Sequence, residues 1–117
     1  MQAWIDKFAE VLSAEKGFSP HTCRAYRIDL NQFSDYLKEE LKGRHGGGAD
    51  MDVRQVDDIL IRAYLGFLYK RYEKSTIARK LSTLRSFFRF LVRRGVITTN
   101  PAGPVLSPKR GRPVPQY

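Results

Sequence analysis

A single cysteine, Cys23, stands among 117 residues, so no internal disulfide can form and a bridge-stapled secreted scaffold is excluded. Uninterrupted apolar runs reach only three residues, as at 59–61. That is far short of the roughly 20 that span a bilayer, so the chain is not expected to cross a membrane. No charged start followed by an apolar core opens the chain, which reads as cytoplasmic. Histidine is scarce: His21 falls in a predicted helix start and His45 in a glycine loop, neither near a cysteine or a paired carboxylate. Neither a metal site nor a cofactor nor a small-molecule ligand is expected. The glycine run at 46–48 lacks the Lys-Ser/Thr and helix start of a phosphate loop. Glu39-Glu40 and Asp57-Asp58 are adjacent on helix ends and diverge, so no carboxylate pair is set up for acid–base work. Cys23 lies at the edge of an apolar stripe and reads as a core thiol, not a nucleophile.

What the second half lacks most is acid. Residues 1–58 hold 8 basic and 11 acidic side chains, whereas residues 59–117 hold 13 basic and one acidic, Glu73, so −3 and +12 give the net +9. So one-sided a surface repels itself and suits a polyanion; nucleic acid leads, with an anionic membrane surface behind it. The length fits one domain, and 42% hydrophobic residues suffice for a modest core.

The apolar positions recur at helical spacing throughout, and sustained alternation with hairpin turns is missing. Ile5, Phe8 and Leu12 predict a first helix over 2–16, with Gly17 as its left-handed cap. Ser19 and Pro20 are a cap followed by proline at the first helical position. The second helix they open carries Cys23, Tyr26, Leu30, Phe33, Leu37 and Leu41 as one stripe. Residues 43–52 contain four glycines and read as a mobile loop. Asp57 is expected to cap a third helix through Ile61, Tyr64, Leu65 and Leu68, reaching 72. Ser75 is expected to cap a fourth, striped by Ile77, Leu81, Leu84, Phe88 and Leu91 and ended by Gly95. Five prolines from Pro101 onward forbid regular helix, so the tail is expected to run extended, with at most a short fifth turn near 98–105.

At about 100° per residue, Arg79, Ser82, Ser86, Arg89 and Arg93 of the fourth helix share one arc opposite its apolar stripe, with Lys80 and Arg85 on the flanks. The face carries no acid. Cations interleaved with small hydroxyls suit a phosphate track, and a helix of this width fits the major groove. The plainer reading is a solvated helix face, but such faces usually mix both signs. On the second helix Arg24, Arg27 and Asn31 share a side, and Thr22 sits with His21 in a first turn whose N–H groups can hold a phosphate. Asp29 and Asp35 lie on the same helix, so taken alone it also reads as an ordinary amphipathic surface. Phe90 falls on the polar side of the fourth helix, which leaves two readings: it meets an absent partner, or it packs under the tail.

Three runs carry a family resemblance. Ser19-Pro20-His21-Thr22 leads to Tyr26, Asp29-Leu30 and Phe33; Ala78 opens Arg79-Lys80-Leu81-Ser82-Thr83-Leu84-Arg85-Ser86-Phe87-Phe88-Arg89-Phe90-Leu91; Asn100-Pro101 follows. In this order they resemble the amino-terminal core-binding domain of tyrosine recombinases, the Xer-type recombinases and phage-type integrases in particular. The resemblance implies an all-α, four-to-five-helix orthogonal bundle of the phage-integrase SAM-like type. Such a domain grips one face of a double-stranded DNA half-site while a carboxyl-terminal catalytic domain grips the other, as a C-shaped clamp. It implies that the second and fourth helices face the DNA and that neighbouring recombinase protomers touch through these domains. Residues 1–106 would form the core-binding domain, and residues 107–117, with Lys109, Arg110 and Arg112, the start of a basic linker across the duplex. In that family the catalytic residues belong to the other domain, so the resemblance implies that none of the six tyrosines is the nucleophile and that the chain is not an enzyme by itself. Chromosome dimer resolution is the role a Xer-type parent implies. The glycine loop at 43–49 is longer than the family leads one to expect.

The rival class is a helical protein–protein adaptor whose interface would use the first helix, Trp4 or Phe90. Single-stranded RNA binding is the third option, but Phe87 and Phe88 fall near the core and leave few stacking platforms.

Overall fold

The computed structural model describes residues 1–40 and 51–107. Among them are four α-helices, α1 Gln2–Ala14, α2 Pro20–Glu40, α3 Asp58–Tyr69 and α4 Lys74–Arg93, with a single 3-10 turn at Val53–Gln55 before α3 and no strand. The all-α class therefore holds, as does each of the four predicted helices. The loop at 43–49 lies outside the described residues.

Local chemistry explains most of the boundaries. Ser19 Oγ accepts the Thr22 N–H at 3.2 Å, so α2 starts with proline in the one turn where its missing donor costs nothing. Asp57 accepts from the Leu60 N–H at 2.9 Å and starts α3. At the far end of α4 the chain turns through Gly95 at φ +76°, with Val96 N–H on the Leu91 carbonyl and Gly95 N–H on the Val92 carbonyl, both at 3.0 Å. This is the paired closure in which glycine alone is unstrained. Gly17, at φ +65°, reverses the chain after α1 in the same way, and Phe18 N–H closes on the Leu12 carbonyl at 3.1 Å. α1 itself ends at Ala14, two residues short of the expectation.

Two expectations about boundaries need correction: α3 ends at Tyr69, three residues short of the expected 72, and the cap of α4 is misplaced. Ser75 does not cap α4: the helix begins at Lys74, and Glu73 holds the cap position with extended backbone and no side-chain hydrogen bond. Only residues 70–73 separate α3 from α4, and Arg71 and Tyr72 are spent closing α3 on Leu68, so the new helix starts as soon as the chain is released. In the tail the short turn expected near 98–105 is present among the described residues. The chain turns at 101–104 and buries Ala102 and Val105.

α4 is the central rod, packed against each of the other three helices, while α1 lies mainly on α2. Ile77, Leu81, Leu84, Phe87, Phe88 and Leu91 are all sealed from solvent, facing Phe33 and Leu37 of α2 and Ile61, Tyr64 and Leu68 of α3. Each such side chain contributes roughly 1.5–3 kcal/mol relative to its exposed state. Among the described residues Phe90 is half-buried and packs on α1. It lies 5.2 Å from the Phe8 ring and 6.4 Å from Trp4, because α1 crosses that side of α4 and covers it.

Candidate nucleic-acid interface

The solvent side of α4 is where the predicted cation row can be tested residue by residue. Arg79, Ser82, Arg89 and Arg93 are exposed along it. From the first to the last the helix rises about 21 Å. No carboxylate among the described residues pairs with Arg89 or Arg93. Ser86 is half-buried and lines a cleft of about 250 Å³ between α1 and α4, whose walls include Phe8, Leu12, Tyr26, Arg89 and Arg93. The row thus has a recess of mixed lining beside it, with Glu15, Lys16 and Arg94 also on its walls.

Arg79 belongs to the row but is not a free cation. Its Nη1 donates to Asp29 Oδ2 at 2.5 Å, with 53% of the Arg79 side chain still exposed. Lys80, placed by projection on the flank of the row, is instead inside the protein. Its ammonium donates to Asp29 Oδ1 at 2.9 Å and Gln32 Oε1 at 2.6 Å and lies 5.1 Å from the Tyr72 ring centroid, with 7% of the side chain exposed. The physical reason is angular: Lys80 lies about 100° from Arg79, on the edge where α2 approaches, and α2 presents Asp29, itself 5% exposed. No phosphate can reach that ammonium.

Arg85, the other flanking cation, also turns away from the row. Its guanidinium donates to the Ala102 carbonyl at 3.3 Å, to Ser107 Oγ at 3.3 Å and to the Val105 carbonyl. Asn100 returns the contact: its Nδ2 donates to the Arg85 carbonyl at 3.1 Å while its Oδ1 accepts the Ala102 N–H at 2.9 Å. Arg85 therefore fastens the tail to α4. Buried carbonyls of a turning segment need donors, and this arginine supplies them.

On α2 the predicted group separates. Arg24 is exposed and has no acidic partner among the described residues. Arg27 pairs with Asp6 of α1. Thr22 does not offer a free amide, since Ser19 takes it, and its hydroxyl lies 3.0 Å from Ser19 Oγ. Asn31 is half-buried; its Oδ1 is sealed without a hydrogen-bond partner and the residue lines a hollow shared with Asp35, Glu39 and Glu40, an unfavourable place for phosphate. Lys109, Arg110 and Arg112 lie outside the described residues.

The residue that sequence reasoning misplaced is Asp29, read as part of an amphipathic surface and found buried. A signal existed: it stands three positions after Tyr26 and four before Phe33, within the apolar stripe, where a carboxylate must find partners or neutralise. Around it the buried polar chemistry continues. Thr83 Oγ1 donates to the Arg79 carbonyl at 3.2 Å and lies 3.4 Å from Asp29 Oδ2, and Gln32 Nε2 donates to the Tyr72 hydroxyl at 2.8 Å. The Tyr64 phenol lies in the same region, its Oη buried without a partner. Burial, and secondarily the Asp29 charge, push its pKa well above the ordinary phenol value. The described residues contain no group of histidine, cysteine and carboxylate side chains able to hold a metal ion. No helix among them is long and apolar enough to cross a membrane. Trp4 and Phe90, the anchors of the adaptor alternative, pack edge to face on each other.

A family model described as phage integrase, N-terminal SAM-like domain, matches residues 5–95. Among curated proteins, the tyrosine recombinase XerC of Oceanobacillus iheyensis is 38% identical over 118 aligned residues, covering 100% of this chain and 36% of that protein. The tyrosine recombinases XerC of Thermodesulfovibrio yellowstonii and Lacticaseibacillus casei are 38% and 39% identical, covering 99% and 97% of the chain. The chain spans about a third of the length of these relatives, 35–36%. No solved structure matches it. With the ordered signatures, the four-helix fold and the family match in agreement, the chain belongs to the phage integrase N-terminal SAM-like domain family.

Proposed function

We propose that this chain is the duplex-gripping module of a site-specific tyrosine recombinase, holding one face of a DNA half-site through α4 with support from α2. The observation that carries the reading is the acid-free, exposed row of Arg79, Ser82, Arg89 and Arg93 on α4, 20 residues long and without a carboxylate between Lys74 and Arg93. Arginine neutralises phosphate charge and serine donates short hydrogen bonds to phosphate oxygens, whereas a face evolved only for solvation mixes both signs. The shared identity with proteins named tyrosine recombinase XerC points the same way. The cutting and rejoining of strands through a phosphotyrosine belongs, on this reading, to a catalytic domain separate from these helices. Neighbouring protomers of the parent are the second partner. Arg24 extends the phosphate track from α2, while Arg27 is paired with Asp6 and Lys80 and Arg85 are withdrawn from the track.

The test is a titration of labelled random-sequence duplex by fluorescence anisotropy across a salt series. With Arg24, Arg79, Arg89 and Arg93 each neutralising one phosphate, and Arg27 cancelled by Asp6, log affinity falls against log salt with a slope of about −3 to −4. Arg89→Ala, whose side chain lies on the exposed side of α4, weakens binding by about tenfold and makes the slope shallower by about 1 without loss of helicity. A flat salt response, or an Arg89→Ala protein that binds like the parent, overturns the proposal.

A further inference from the structure

We infer that Asp29 is a positioning residue for phosphate recognition by Arg79, and that buried Lys80 is what leaves Arg79 its charge. This rests on the duplex-gripping reading above. One carboxylate is shared by two consecutive cations of α4, one oxygen for each. Asp29 and Lys80, 5% and 7% exposed, form an internal pair with no net charge. Arg79, on the other oxygen and half exposed, is then a surplus cation. A guanidinium has five N–H donors in a rigid fork; Nη1 is committed to Asp29, so the rest of the fork remains for an outside anion. A long side chain already held in one orientation has less freedom to lose when it meets a phosphate. Thr83, donating to the Arg79 carbonyl and lying beside Asp29 Oδ2, closes the support from the same turn of α4.

The arrangement makes an expectation opposite to simple charge addition. Removing an acid from a cationic protein should tighten its hold on a polyanion. If Asp29 positions Arg79, removing that acid weakens the hold instead. The experiment uses the full chain and a labelled random-sequence duplex, with affinity and salt slope measured for Asp29→Asn, Arg79→Ala, Lys80→Met and the pairs D29N/R79A and D29N/K80M, each checked for helicity by circular dichroism. Asp29→Asn weakens binding about three- to tenfold, and in the Arg79→Ala background it causes no further loss. Lys80→Met makes the slope shallower by about 1, as Arg79→Ala does, because Asp29 then cancels Arg79, although the buried ammonium itself touches no phosphate. A merely structural Lys80 moves the melting temperature and not the slope. Should Asp29→Asn leave the chain unfolded, D29N/K80M, free of an unpaired buried ammonium, carries the same expectation: affinity lowered, slope kept. Tighter binding by the folded Asp29→Asn or D29N/K80M protein, an unchanged slope in Lys80→Met, or an equal loss from Asp29→Asn with and without Arg79 overturns the inference. Loss of the salt slope through Arg89 but not Arg79 also overturns it and leaves the functional reading standing, whereas failure of the parent chain to bind duplex at all removes the functional reading itself.

Discussion

Lys80→Met isolates the energetics of the α2–α4 contact, because methionine keeps most of the unbranched stem and deletes the ammonium. Two hydrogen bonds are lost, to Asp29 at 2.9 Å and Gln32 at 2.6 Å, in a region where 7% and 5% of the paired side chains remain exposed. Removing one partner of a buried ion pair costs about 3–5 kcal/mol when the other charge is left alone. Here Asp29 keeps Arg79 on its second oxygen, and Arg79 is half exposed, so part of that penalty is offset. The expected loss is therefore about 2–4 kcal/mol, a large fraction of the 5–15 kcal/mol typical of a domain. Urea denaturation followed by circular dichroism reads it: with a slope of about 1–3 kcal/mol per molar, the midpoint drops by about 1–2 M. D29N/K80M, which leaves neither charge buried, costs less than the single Lys80→Met change. A Lys80→Met midpoint within a few tenths molar of the parent would refute the reasoning, since the ammonium would then be solvated and the pair not an anchor.

Three further outcomes follow from the same geometry. Arg85→Ala strips donors from the Ala102 and Val105 carbonyls and costs about 1–3 kcal/mol; amide hydrogen exchange rises across 96–107, while duplex affinity changes less than about twofold, and a tenfold loss of affinity would return Arg85 to the interface. Phe90→Ala opens a gap beneath Trp4 and Phe8 and costs about 2 kcal/mol for a half-buried ring, with a red shift in Trp4 fluorescence; an unshifted spectrum at full stability would contradict the packing. Tyr64→Phe is neutral or stabilising by up to about 1 kcal/mol, because its buried Oη has no partner to lose. The Tyr64 phenol is raised chiefly by burial, so its contribution is complete below its ordinary value near 10 and is lost as pH climbs toward the raised one. Urea midpoints measured up to about pH 11 therefore fall less steeply in Tyr64→Phe, with Tyr36, also raised by burial, accounting for part of the remainder.

Much of the fold was legible in the residues. The stripes through Phe8, Leu30 and Leu84 repeat at helical spacing, and Asp57, Gly17 and Gly95 act through bonds to neighbours a few positions away, so their roles need no knowledge of distant chain. The start of α4 was not legible, because Ser75 and Glu73 compete for the cap and the outcome turns on how few residues are left after α3 closes on Leu68. The candidate site was legible only in part. Projection onto a helix places Arg79, Ser82, Arg89 and Arg93 on one face from chain spacing alone, and that face is exposed. Projection has no means of knowing which neighbour stands at each edge.

Charge asymmetry, helix number and the acid-free row are properties of order along the chain, and they were determined by the sequence by itself. The fate of individual cations was decided only by the tertiary structure. Lys80 is buried because α2 brings Asp29 to its edge from 51 positions away, and Arg85 is diverted because residues 102–107 return to α4 with carbonyls in need of donors. Phe90 is a core-edge residue instead of an exposed one because α1 lies across it. In each case the deciding interaction joins residues far apart in the chain, and whether a long polar side chain faces water or the interior depends on what packs beside it.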